Sequence, residues 1–539
     1  MFTKLSPQAL WVPLVLGLGA SLTPLQAQCE VQSSTPADNS AEARFGATVH
    51  VDGNRALVAA LRADGYGAAY VYERSGNTWL ETAKLSPSDG VAGDGFGLGL
   101  AIEGDRIVVG SMEANGGGNA SGKAYAFERQ ADVWVETQQL VPADSAAGDW
   151  FGVSVAISGE WLVIGARQDN SGSFNGGTAY IYRYGPAGWV LFDEVVPPAV
   201  GNGDVFGHGI AISGLTMAVG ASGWDGPSQN AGSVFIWEFD GSAWVKTQRV
   251  RPDVPQAGNF FGLDLDLEGD RLLVGARGHN GAGGTDSGSA YVFERGPNGF
   301  EQSAKLESAD SNALDELGNK VSLSGERVLI GCWLDSDTIN RAGAAYVFEL
   351  TAGTWSEVAK LTPSLMQDGA LFGHDVDLFE GHAFVGAYRA SVEGPQSGAL
   401  SIHDLGNSPE QHPFCPSLPN STGQPAQITA SGSQSLGADD THIGAHGLPA
   451  SQPALLLYAS GRQLPMPFGD GNLCLSNAGV GILHASSLLW SDAQGNLDWP
   501  LHIPGLQPGT HWSFQWLYRD PAGPTGTNLS AALALSFCP

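Results

Sequence analysis

Cations are scarce in this sequence: 25 Lys and Arg stand against 55 Asp and Glu, a formal net charge of -30 over 539 residues. Phosphate-rich partners are held by clustered Lys and Arg, so neither nucleic acid nor an anionic membrane surface is expected as a partner. Long apolar runs are lacking as well. Beyond the first 27 residues no stretch of about 18 apolar residues exists, which argues against membrane insertion. Cysteine is limited to positions 29, 332, 415, 474 and 538, with no Cys-x-x-Cys among them. The 12 histidines form no His-Glu-x-x-His, and no Gly-x-Ser-x-Gly sits between a strand and a helix. Glycine-rich strings such as 280–288 lack the lysine and the following helix of a phosphate cradle. No catalytic residues, metal ligands or cofactor site are therefore expected, and the chain reads as a non-enzyme.

What is abundant is glycine, 75 residues of it, and it recurs in register. A Phe-Gly pair opens at Phe45, Phe96, Phe151, Phe206, Phe261 and Phe372, with Leu317-Gly318 in the remaining slot. The spacings are 51, 55, 55, 55, 56 and 55 residues. A constant period near 50 built from short strands predicts a propeller with one blade per repeat. Each repeat reads as four strands. The first (FGVSVAIS at 151–158) alternates apolar and small residues, as suits a strand at a crowded axis. A short Gly-led hairpin leads to a continuous apolar second strand, expected to be covered on both faces. A variable loop and a third strand follow. The fourth opens on an aromatic (Trp79, Trp134, Trp189, Trp244, Phe300, Trp355), which reads as packing between blades rather than a ligand stack.

These residues resemble the FG-GAP repeats of the integrin alpha-chain propeller, in the variant of secreted bacterial proteins. The Phe-Gly, the Gly-Ala-Arg at 165–167 and 275–277 and the Gly-x-Ala-Tyr carry the resemblance, over roughly 28–406. It implies a secreted seven-bladed β-propeller. Integrin-type blades often hold calcium between their first two strands; here that connection is too short to supply the oxygens, so no metal is carried over.

The chain ends carry further expectations. Residues 1–27 (Lys4, an apolar run, a small-residue end at Ala27) have the layout of a secretory signal peptide. The repeat opened by Phe372 supplies only three strands, and counting 17 residues back from Phe45 reaches Gln28. Residues 28–35 are therefore expected to close the last blade, the alternative being a loose N-terminal tail. Export permits disulfides. Cys29 and Cys415 would then join the two ends, leaving Cys474 to pair with Cys538; alternatively Cys415 bonds within its own module. Cys332 replaces the alanine of Val-Gly-Ala and reads as a buried thiol. A Ser/Pro/His-rich linker at 407–424 leads to 425–539, whose alternating segments read as a β-sandwich. That module resembles one found on many secreted bacterial proteins, which implies location more than activity. The whole is all-β: a seven-bladed propeller followed by a C-terminal β-sandwich.

Function is least legible. Asp264 and Asp266, like Asp375 and Asp377, alternate along a first strand and are expected to line the axis in a solvated or hydrogen-bonded role. The loops between second and third strands differ from repeat to repeat, either because they bind something or because nothing constrains them. Taking the first view, Trp224, Asp225, Arg277, His279, Trp333 and Asp335 are the candidate ligand-binding residues, read as exposed loop positions. The expected function is a secreted, monomeric binding or adhesion protein presenting that loop face to an extracellular protein or glycan. The alternatives are a structural cell-envelope component or, less in keeping with the missing motifs, a carbohydrate-active or hydrolytic enzyme.

Overall fold

The computed structural model describes residues 29–405 except 77, 171–172, 198–200, 227, 338 and 364–365. Beyond these it describes 427–431, 442–446, 448–459, 461–468, 471–476, 483–484, 489–492, 494, 496–500, 511–519 and 527–536. The leader and the linker lie outside the described residues, as do the side chains of Cys29, Cys415, Cys474 and Cys538.

Seven four-stranded antiparallel sheets follow one another along the chain. In the third, Phe151–Ser158, Trp161–Ala166, Thr178–Gly185 and Gly188–Val195 pair in sequence order. The inner strand of each sheet touches the inner strands of both neighbours, and that of the seventh touches the first, so the blades close into a ring. A two-residue turn joins inner to second strand, Gly104 and Asp105 in the second blade for instance. The second strand is buried at every residue in the third blade, because a neighbouring blade covers each of its faces. The outer strand alternates instead, as Val133–Leu140 shows. Hydrophobic clusters consequently sit at the seams: one joins Ala101 and Val108 of the second blade to Phe151, Leu162 and Tyr180 of the third.

The Phe-Gly pair is the seam's construction. The phenylalanine is fully buried and meets the third-strand aromatic edge-on, Phe151 to Tyr180 at 5.4 Å. Its N–H donates to the preceding blade, from Phe151 to the Ser121 carbonyl at 2.9 Å. The glycine beside it (Gly152, φ +88) lies against Gly110 of the preceding second strand. A Cβ on Gly110 would stand 1.8 Å from the Gly152 carbonyl oxygen, so two backbones touch where side chains would hold them apart. Outer-strand aromatics finish the seam. Trp79 packs on Phe384 at 4.9 Å, Trp244 on Trp161 at 5.3 Å, and Trp189 lies under Arg106 at 5.4 Å. Each partner belongs to the second strand of the preceding blade, so these rings are packing elements, as expected.

The seventh blade comprises Val376–Phe379, His382–Ala387 and Ala399–Asp404, completed by Cys29–Ser34 from the other end of the chain. Cys29 lies opposite Asp404 and Ser34 opposite Leu400. The closing strand, Cys29–Ser34 among the described residues, falls within the 28–35 expected, with Gln28 outside the described residues. Gln32 accepts from the Trp79 N–H at 2.8 Å and donates to the Trp79 carbonyl at 2.7 Å. Gln138 clamps Trp189 and Gln248 clamps Phe300 in the same way, so the borrowed strand is treated as any other.

Beyond the propeller every described element is a strand and every pairing antiparallel. The central pair is Pro453–Ala459 with His511–Arg519; Ala454 lies opposite Tyr518 and Leu456 opposite Trp516, all four buried. Among the described residues no helix is long and apolar enough to cross a membrane.

Candidate functional site at the axial channel

An inner strand has a partner on one edge only, so its other edge leaves N–H and C=O groups facing the axis. Side chains of the preceding blade satisfy them. Asp264 accepts from the Val321 N–H at 2.9 Å and Asp266 from the Leu323 N–H at 2.7 Å. Asp375 and Asp377 do the same for Val49 and Val51, at 2.7 and 2.6 Å. The alternation of the two aspartate pairs therefore matches alternate N–H groups of the next inner strand. Their axial, hydrogen-bonded placement is as expected. Lys320 stands between Asp264 (3.0 Å) and Asp375 (3.5 Å).

Around these groups runs a cavity of about 470 Å³, lined by all seven inner strands. Burial pushes Asp266 up to about 7, and Asp375 and Asp377 up to about 6, against the pull of the N–H groups they accept from. Burial pushes His208 down to about 3 and His374 down to about 4. The signs oppose. Carboxyls whose folded values exceed 3.8 give stability that is full below about pH 4 and lost as pH rises through 6 to 7. Histidines held below 6.5 give stability present above 6.5 and lost as pH falls through 4 to 3. Comparing variants isolates one limb: between pH 5 and pH 8 the wild-type Tm should fall about 3 °C further than that of Asp266→Asn. Parallel melting curves would show that Asp266 does not titrate in this range.

The residue after each second strand is Leu61, Met112, Arg167, Ser222, Arg277, Trp333 and Tyr388 in blade order, and of these Met112, Arg167, Arg277 and Trp333 line one mouth of the channel. Beneath it lies the residue before each Phe-Gly, held at positive φ although six of the seven are not glycine (Trp150 +60°, Phe260 +52°, Glu316 +55°). The two positions pair within a blade. Arg167 lies over the Trp150 ring at 4.6 Å, Arg277 over Phe260 at 5.9 Å, and the Trp333 indole N–H donates to Glu316 at 3.0 Å. Of the six residues proposed from sequence, Arg277 and Trp333 are at this mouth.

The other four are not brought together with them. Trp224, His279 and Asp335, read as exposed, are 7%, 3% and 2% exposed. Their loops turn inward, so each packs on the third-strand ring: Trp224 on Phe235 at 5.1 Å, His279 beside Tyr291, Asp335 accepting from the Tyr346 hydroxyl at 3.1 Å. Asp225 is exposed but closes its own loop by accepting from the Asn230 N–H at 2.8 Å. A substitution at Trp224 is thus a core truncation, costing about 3 kcal/mol or more. Sequence reading passed over Arg167, His208, Asn319 and His374. Aligning the repeats column by column would have placed Arg167 with Arg277 and Trp333.

A second recurrent cluster flanks the mouth. In the sixth blade Lys360, opposite Tyr346, lies 3.0, 2.8 and 2.7 Å from Asp310, Asp335 and Asp337. In the first blade Lys84, opposite Tyr70, meets Asp38 and Asp64 at 2.6 Å each. Asp315, Cys332 and Asp335 come within 4.8 Å of one another beside Lys360, and Cys332 is a buried free thiol as expected. In the third blade the residue opposite Tyr180 is Glu194, among Asp144 and Asp169, and burial together with those carboxylates raises its pKa. Glu194→Lys should therefore stabilise the protein by about 1 kcal/mol. Urea unfolding checks it, and a destabilised variant would show that the three blades are not equivalent.

The FG-GAP repeat matches seven segments: 29–72, 79–127, 134–182, 189–237, 244–293, 300–348 and 355–403. No curated protein matches the chain significantly. Each matched segment from the second onward begins on the opening aromatic of one blade's outer strand and ends on the third strand of the next, and the first begins on the closing strand itself. The sequence unit and the blade are out of phase by one strand, which is why the ends must meet. With more than half its length matched in this phase, the chain belongs to the FG-GAP repeat family and forms that family's repeats into a closed seven-bladed propeller.

Proposed function

We propose that the chain is a secreted, non-enzymatic binding or adhesion protein that presents the channel-mouth face to an extracellular protein or glycan. The observation that carries this reading is the convergence at the mouth. Seven equivalent positions of a near-identical frame carry Leu, Met, Arg, Ser, Arg, Trp and Tyr, and the Met, both Arg and the Trp line the channel there. Packing does not demand such variety, since the adjoining seam positions stay glycine in six blades of seven. The axial carboxylates support the non-enzymatic part: each has an oxygen engaged by a backbone N–H of the next blade, and the Ser322 hydroxyl that meets Asp377 at 2.7 Å also accepts from the Leu378 N–H at 3.0 Å, a structural hydrogen-bond chain. The leader-like residues 1–27 and the typically extracellular setting of FG-GAP proteins support secretion.

The test is a glycan and surface-protein array probed with the chain lacking residues 1–27. Wild type should bind at least one class. Trp333→Ala should weaken that binding about tenfold. Leu215→Ser, on the turn at the opposite face, should not. Loss of binding on altering Leu215 but not Trp333 would assign the wrong face.

A further inference from the structure

Arg167 bears on the chemistry of the ligand. In a chain of net charge -30 this guanidinium has no carboxylate partner, and its Nε is buried without a hydrogen-bond acceptor. Trp150 covers one face of it. Burial first and then the neighbouring Arg277 push its pKa down, so the charge that acts on it is another cation. A buried donor left unmatched costs about 1–3 kcal/mol, and an anion lying between the two arginines would remove that cost. Arg277 is oriented for such a role: it donates to Asn319 Oδ1 at 3.2 Å and meets Glu316 at 3.5 Å. Among the cations lining the channel, Lys320 is matched by Asp264 and Asp375 and Arg277 is partly matched by Glu316, which leaves Arg167 as the one without a carboxylate, with Arg277 beside it.

The histidines specify the rest. His208 Nδ1 lies 2.8 Å from the Leu263 carbonyl and His374 Nδ1 3.1 Å from the Ala47 carbonyl. A ring nitrogen facing a carbonyl must carry the proton, and with both rings neutral at pH 7 each Nε2 is an acceptor. Both rings line the cavity, as do Arg167, Arg277, Met112 and Trp333. A ligand for this lining needs a planar anionic group for the guanidinium forks, hydroxyl donors for the imidazole acceptors, and an apolar face for the indole. A simple carboxylate supplies the first alone, whereas a pyranose acid carries all three on one rigid ring. Resting on the binding role proposed above, we propose that the channel mouth binds a sugar acid, a pyranose bearing a carboxylate, with the carboxylate between Arg167 and Arg277 and ring hydroxyls on His208 and His374. The cavity of about 470 Å³ is of the size that holds one such residue or two.

The test uses the chain lacking residues 1–27, with titration calorimetry against galacturonate and its trimer, galacturonate methyl ester, glucose and a short Glu-containing peptide. Galacturonate should bind, the trimer at least as well, and the methyl ester and glucose at least tenfold more weakly. Arg167→Gln and Arg277→Gln should each lose about tenfold while still unfolding in one cooperative transition, and Leu215→Ser should bind as wild type does. Equal binding of galacturonate and its methyl ester would overturn the carboxylate assignment. Binding of the peptide in preference to galacturonate would overturn the sugar class while leaving the binding face in place. Array binding that depends on Trp333 but survives both arginine substitutions would overturn the inference and spare the broader function. No binding to the array at all would remove the function on which the inference rests.

Discussion

Deleting residues 28–35 should lower the Tm of the propeller by about 8 °C, corresponding to about 4 kcal/mol of lost stability. The closing strand pairs with Ala399–Asp404 from Cys29↔Asp404 to Ser34↔Leu400. Its removal strips hydrogen bonds from a buried strand, exposes Leu400 and Ile402, and releases Trp79 from the Gln32 clamp. It also opens the ring between first and last blades, where Trp79 packs on Phe384. A synthetic peptide of residues 28–35 added at millimolar concentration should restore part of the loss, because the vacant edge is a template for an added strand. An unchanged Tm in the truncated protein would show that the seventh blade holds with three strands.

The second large effect is expected at the seam. Gly165→Val should cost about 3 kcal/mol or more, measured by urea unfolding. A Cβ at Gly165 would lie 1.9 Å from the Gly207 carbonyl oxygen and 2.4 Å from Ser154 Oγ. The obstacle is backbone of the next blade, so relief requires two whole sheets to part. Gly159→Ala is the control: it meets nothing within 4 Å and carries only the cost of φ +58, about 1 kcal/mol. One seam shows what accommodation looks like. In the first blade Ala59 takes the glycine's place, and Gly97 opposite it sits at φ +111 where Gly152 and Gly207 sit at +88 and +85. If Gly165→Val unfolds within 1 kcal/mol of wild type, the seams yield more easily than this packing implies.

The architecture was legible because it is written seven times. A period of 55 and a Phe-Gly in each unit identify blades; no single unit would have done so. Even the ring closure could be counted from the ends, since a missing outer strand and a spare one differ from the other repeats in the same register. The aspartate alternation at 264/266 and 375/377 likewise reports a face of a strand, and that face is the axis. All of this follows from periodicities of one chain segment, which sequence carries directly.

The site was not legible in the same way. Trp224, Asp225, Arg277, His279, Trp333 and Asp335 lie on equivalent loops, but neighbours in sequence diverge in space. Arg277 turns to the axis, whereas His279, two residues on, turns back onto Tyr291. Which of the two faces the mouth is set by how each loop folds against its own third strand and the next blade's entry. Arg167 and Arg277 come from blades two apart, with His208 between them from the fourth, so they are brought together only by the packing of successive blades around the axis. Sequence by itself determined the repeat, the strands and the need to close; the tertiary structure alone decided which side chains share a cavity, because that depends on contacts between blades some 55 residues apart.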